Sequence, residues 1–143
     1  MKLIYEYKYP RPAVTADVII FDKNKEKILL IERGGEPFKG MWALPGGFMD
    51  MNETIEQTAF RELEEETNLT GIELNQLHTF TAIGRDPRHR TVTTVFYGFI
   101  DDNPQTTIAG DDAAKAQWFN IYDLPSLAFD HREVIDFFID GVL

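Results

Sequence analysis

A chain of 143 residues that is 43% hydrophobic and 13% aromatic can bury a substantial core, and one domain over residues 1–143 is expected. The formal net charge of −10 argues against nucleic acid and anionic membranes as partners, because both need a basic surface that displaces counterions. With no cysteine, disulfides, zinc–thiolate centres and thiol nucleophiles are excluded, which fits a reducing cytoplasm.

The first residues, Met1 to Tyr9, lack the apolar core and small-residue cleavage site of a signal peptide, and no later run is apolar enough to span a bilayer. A soluble cytoplasmic protein is therefore expected. Val14 to Phe21 and Ile28 to Ile31 are β-branched runs separated by the polar residues 22–26, the pattern of two strands joined by a turn. From Gly34 to Gly47 glycine and proline are too frequent for regular structure, so a loop region is predicted. Glu53 to Thr67 contains neither glycine nor proline, and Ala59, Phe60, Leu63 and Thr67 recur at helical spacing. Leu74 to Ile83 and Thr91 to Ile100 read as strands flanking an exposed charged loop at 84–90, and Lys115 to Phe119 as a short strand with Trp118 and Phe119 in the core. Asp130 with Glu133 opens a last helix whose apolar stripe is Val134, Phe137 and Phe138, stopped by Gly141. This order predicts an α/β sandwich around a mixed sheet.

The predicted helix at 53–67 carries the strongest chemical signal. Between Glu53 and Glu66 stand six acids and one base, Arg61, a net charge of minus five. Glu62, Glu65 and Glu66 lie at i, i+3 and i+4, so their carboxylates leave one side within a turn, near the end where the helix dipole disfavours anions. Each like-charge pair costs about 0.2–0.5 kcal/mol, and a hard divalent cation is the simplest compensation. A solvated acidic face is the bland alternative, but such a face usually interleaves lysine and this one has none. The turn Leu44-Pro45-Gly46-Gly47 precedes the helix and lets backbone approach a metal or phosphate without a side chain intervening.

Gly47, Glu53 and then Arg61-Glu62-Leu63-Glu64-Glu65-Glu66-Thr67-Asn68-Leu69 resemble the signature box of the Nudix hydrolases, which covers residues 47–69. The one departure is Asn68, where the family has glycine; asparagine is the next-best residue for a left-handed helix cap. The resemblance implies a Nudix-like α/β/α sandwich around a mixed β-sheet, and cleavage of a substituted diphosphate by water with Mg²⁺ or Mn²⁺. It also implies a ligand set of Glu62, Glu65, Glu66 and the Gly46 carbonyl. Glu62 and Glu65 are both candidates for deprotonating the water, and Arg61 for orienting a carboxylate. Glu53 is expected to support these groups from behind. Asp111 or Asp112 is the candidate for a further acid from a later loop. The alternative for that pair is an ordinary turn.

Looser similarities at 9–15, 36–48 and 84–88 resemble the ADP-ribose pyrophosphatase branch, in which a proline after the box accompanies ADP-ribose preference; Pro87 lies in the matching region. Arg85, Arg88 and Arg90 form the densest basic cluster of the chain, and with Arg33 and Lys39 they are the candidates for gripping the diphosphate. The implied activity is hydrolysis of ADP-ribose to AMP and ribose 5-phosphate. Two alternatives stand beside it: a nucleoside triphosphate pyrophosphohydrolase, and a non-catalytic sensor of ADP-ribose-type metabolites. The sensors of this family carry a winged helix, for which no room is expected after the last helix. Acyl-enzyme chemistry has little support, since Ser126 is the only serine and His78, His89 and His131 show no triad or ligand spacing. The family resemblance suggests a homodimer with the strand Leu3 to Tyr7 at its interface.

Overall fold

The computed structural model describes residues 4–101 and 115–143. Its elements run β1 (Ala13–Asp22), β2 (Lys27–Glu32), β3 (Trp42–Ala43), β4 (Gly46–Phe48), α1 (Ile55–Thr67), β5 (Asn75–Phe80), β6 (Thr91–Ile100), β7 (Lys115–Asn120) and α2 (His131–Gly141). Strand β1 is the hub of a mixed sheet: it pairs parallel with β6 over its whole length and antiparallel with β2 and β4. Strand β2 carries β3 and β7, and β5 closes the other edge against β6.

Alternation along β1 sorts the core into two layers. Ala16, Val18 and Ile20 face Ala59 and Leu63 of α1, whereas Ile19 and Phe21 face Val134, Ile135 and Phe138 of α2. Both faces of β1 are covered, which is why its sequence is a near-continuous apolar run. The predicted α/β sandwich is the observed architecture.

Several local expectations need correction. The loop region at 34–47 contains the two short strands β3 and β4, stabilised by β2 and β1, partners too far along the chain for a local pattern to reveal. Phe60 and Phe137 are 45% and 44% exposed, at the flanks of their helices; Thr58 and Ile135 take the buried positions instead. Trp118 and Phe119 are half-buried and pack against the two core layers. Helix α2 has no side-chain cap from Asp130, because that carboxylate is engaged elsewhere. Residues 4–7 form no strand, and Leu3 lies outside the described residues. No helix among the described residues is long and apolar enough to cross a membrane.

Candidate active site

Helix α1 starts cleanly because Thr54 and Gln57 form a reciprocal capping box: the Gln57 N–H donates to Thr54 Oγ1 at 3.2 Å and the Thr54 N–H to Gln57 Oε1 at 2.8 Å. It ends on Asn68, whose φ of 63° and ψ of 10° place it in the left-handed region while its N–H bonds to the Glu64 carbonyl at 2.8 Å. The predicted asparagine cap is thus formed.

Arg61 organises the acidic face. Its guanidinium donates to Glu53 Oε1 at 2.7 Å and Oε2 at 3.1 Å, to Glu62 Oε1 at 2.7 Å, to Glu65 Oε2 at 3.3 Å and to the Phe48 carbonyl at 3.0 Å. Hydrogen bonds from Arg61, then from the Asp50 backbone, hold the Glu53 carboxyl down to about 2. The Glu53 bond in turn raises the Arg61 guanidinium above its ordinary value. Glu66 is turned the other way: it is buried, and its Oε1 accepts the Gly46 N–H at 2.7 Å. The three carboxylates of the last turn are therefore split between Arg61 and Gly46. Among the described residues, no three acidic or histidine side chains already stand together as a metal cluster.

The glycines at 46 and 47 are needed for space. A Cβ on Gly47 would lie 2.5 Å from Glu62 Cδ, and one on Gly46 would collide with the Asp17 carboxylate and the Ala16 carbonyl. The resulting close approach puts Gly46, Gly47, Arg61, Glu62 and Glu66 in the wall of one cavity of about 380 Å³.

The lining of this cavity is also basic and aromatic. Arg33 and Arg88 both enter it, and the ring of Phe129 lies 4.9 Å from the guanidinium of Arg33 and 5.5 Å from that of Arg88. Phe129 adopts a φ of 54° and meets the ring of Phe38 at 4.9 Å, so a backbone conformation costing on the order of 1 kcal/mol is kept to present this ring. Burial, and next the proximity of Arg88, lower the Arg33 pKa. Glu66 and Asp86 oppose that shift, and two guanidiniums in one cavity lining give an anion two partners.

The other basic candidates separate. Arg85, expected in an exposed loop as a substrate ligand, has a side chain only 4% exposed and donates through two nitrogens to Asp130, at 3.0 and 2.7 Å. The carboxylate 45 residues away draws it inward and closes the β5–β6 loop onto the start of α2. Arg90 is exposed, bonds to the Ala82 carbonyl at 3.3 Å and lies outside this cavity, as do the exposed Lys39 and Glu65. Pro87 is exposed, and Asp111 and Asp112 lie outside the described residues.

Residues that sequence reasoning missed also line the cavity: Asp17, Asp86, Phe129 and His131. Asp17 is an acid inside the otherwise apolar run of β1, and that was the available signal. It accepts Thr93 Oγ1 at 2.7 Å. Asp86 anchors Arg88 at 2.8 Å; burial works against its charge, but the Arg88 hydrogen bonds keep its pKa below the ordinary value.

Comparison with known proteins places the fold and the box in a family. The NUDIX domain family matches residues 11–138. An ADP-ribose pyrophosphatase of Methanocaldococcus jannaschii is 44% identical over 127 residues, 89% of this chain and 73% of that protein. The ADPR responsive transcriptional repressor NtrR of Acinetobacter baylyi is 34% identical over 89% of this chain, which spans only 53% of the repressor. The NUDIX domain of Shewanella oneidensis NrtR, solved with ADP ribose, superposes with a TM-score of 0.85 at 30% identity, covering 97% of this chain and 94% of that domain. With the box, the sandwich and these relatives in agreement, the chain belongs to the Nudix hydrolases, on the side of the ADP-ribose pyrophosphatases.

Proposed function

We propose that this enzyme hydrolyses ADP-ribose to AMP and ribose 5-phosphate with Mg²⁺ or Mn²⁺. The observation that carries the reading is the composition of one cavity: Arg33 and Arg88 in its lining suit a diphosphate, and Glu62 and Glu66 of α1 in the same lining suit a hard cation. Similarity to the archaeal ADP-ribose pyrophosphatase supports the substrate.

Nudix hydrolases generally use divalent metal ions, and the donor set here is all oxygen, as Mg²⁺ and Mn²⁺ prefer. Glu62, Glu66 and the Gly46 carbonyl would hold the metal, with Glu65, outside the cavity but sharing the Arg61 guanidinium with Glu62, as the third carboxylate. When bound it screens the diphosphate oxyanions and lowers the pKa of water. Arg61 keeps the Glu62 and Glu65 carboxylates aimed, and Glu62 or Glu65 takes the proton of the attacking water. Arg33 and Arg88 orient the diphosphate. Arg85 lines the same cavity and, like Arg88, is paired with a carboxylate, but its side chain is 4% exposed against 35% for Arg88, so Arg88 is the better placed of the two for that grip.

The test is product analysis with Mg²⁺ across ADP-ribose, NADH, dinucleoside polyphosphates and nucleoside triphosphates. AMP and ribose 5-phosphate formed in preference to other products is the expected result; faster release of pyrophosphate from triphosphates would establish the sanitising alternative. Similarity to the repressor favours a second reading, an ADP-ribose sensor. Binding of ADP-ribose with no turnover of any substrate would replace the enzyme by that sensor. A homodimer belongs to the same proposal and is checked by sedimentation.

A further inference from the structure

The segment Leu44-Pro45-Gly46, which leads from β3 into β4, is held at three points by three elements. The Leu44 N–H donates to His131 Nδ1 at 3.0 Å, at the start of α2. The Pro45 carbonyl accepts the Val18 N–H of β1 at 2.8 Å. The Gly46 N–H donates to Glu66 Oε1 of α1 at 2.7 Å. The last contact belongs to the Nudix box and the second is backbone pairing, which leaves the first to be explained.

Because an N–H points at Nδ1, that nitrogen carries no proton and Nε2 carries the ring proton. Nε2 faces Asp17 Oδ2 at 3.7 Å, and the same oxygen accepts Thr93 Oγ1. Asp17 also lies under Gly46, where a Cβ would strike its carboxylate. His131, Asp17 and Thr93 are 3%, 7% and 0% exposed, so a Leu44 N–H that lost its acceptor would carry a desolvation cost.

We infer that His131 is a positioning residue for the metal-holding end of the site. Braced by Asp17, its Nδ1 sets the depth of residues 44–46 and thereby aims Gly46 at Glu66. Loss of the Nδ1 acceptor thus weakens divalent-cation binding, although His131 touches none of the proposed ligands. The inference rests on the metal reading proposed above.

The test measures Mn²⁺ binding to the full chain without substrate, from the electron paramagnetic resonance signal of free Mn²⁺, with Tm recorded for each variant. His131→Leu should raise the dissociation constant on the order of tenfold. His131→Asn should bind close to wild type, because its Oδ1 falls where Nδ1 was and accepts the same N–H. His131→Gln places its amide at the Nε2 end and should bind weakly, a contrast with asparagine that decides the matter even if the leucine variant fails to fold. Val134→Ala, a buried neighbour on α2, should lower Tm and leave Mn²⁺ binding unchanged. Wild-type binding by folded His131→Leu, equal weakening by asparagine and glutamine, or equal weakening by Val134→Ala would each overturn the inference. Glu66→Gln separates the two levels: if it too binds Mn²⁺ normally the metal reading itself falls, and if it alone weakens binding only the role of His131 falls.

Discussion

Arg61 on α1 spreads its guanidinium over the carboxylates of Glu53, Glu62 and Glu65 and the Phe48 carbonyl, whereas Arg85 in the β5–β6 loop commits two nitrogens to the single carboxylate of Asp130. The first side chain is 28% exposed and the second 4%. Exposure to the cavity leaves Arg61 free to re-divide its hydrogen bonds when the carboxylates take up another partner. Burial removes that freedom from Arg85, which becomes a clamp between a loop and the start of α2. Identical chemistry thus serves organisation of the reacting groups in one region and cohesion in the other.

Substitutions can break that division. The largest effect is expected at Glu66→Gln: loss of turnover on the order of 10³-fold with the fold retained, since both its bond to Gly46 and its charge toward a metal are altered. Steady-state rates with a circular dichroism control check it, and wild-type turnover would remove Glu66 from the proposed ligand set. Next comes Arg85→Ala, which leaves the Asp130 carboxylate, 18% exposed, without its partner. A cost of about 3 kcal/mol is expected, lowering Tm on the order of 10 °C. In an Asp130→Ala background the same substitution should cost much less, as measured by urea unfolding in a double-mutant cycle. If Arg85→Ala instead abolished turnover at unchanged stability, the clamp would have to be read as a substrate ligand.

The same division explains what was legible in the sequence. The α1 site was readable because its spacing is local: Gly47, Glu53, Arg61 and the glutamates fall within one turn-plus-helix unit, and even the departure at Asn68 follows from the cap it forms. The strands β1 and β6 were readable from their β-branched runs. The burial of Arg85 was not legible because the partner that draws it inward, Asp130, lies 45 residues away at the start of α2. Asp17 and His131 were invisible for a similar reason: one sits in a strand, one opens a helix, and only the packing of α2 against β1 joins them. Short strands such as β3 and β4 exist by pairing rather than by propensity.

A smaller effect, on pH, separates the two regions again. Burial lowers the His131 pKa from its ordinary 6.5; Asp17 and Asp130 oppose the shift, and Arg85 and Arg33 add to it. Below about 6.5 the unfolded chain therefore binds the proton before the folded one does, so stability falls as pH drops through this value and is unaffected above it. Glu53, held at about 2 against an ordinary 4.5, also loses stability in acid, but only as pH falls below 4.5. Urea midpoints between about pH 7.5 and 5 should slope for wild type and flatten for His131→Asn; parallel curves would assign the slope to another group.

The smallest effect is expected where the chain departs from its family. Asn68 already occupies φ 63° with its N–H on the Glu64 carbonyl, the conformation that glycine adopts at no steric cost. Asn68→Gly should change stability by less than about 0.5 kcal/mol and leave turnover almost unaltered. Asn68→Ala meets the Cβ penalty of the left-handed region without a local polar group, and should cost about 1 kcal/mol. Glu66 lies two residues inside the cap, within the last turn, so unwinding of the end would reach the carboxylate that holds Gly46. A marked rise in rate for the glycine variant would mean that asparagine holds the end of α1 away from its productive geometry, and a loss of turnover in the alanine variant larger than its loss of stability would extend the active region to the cap itself.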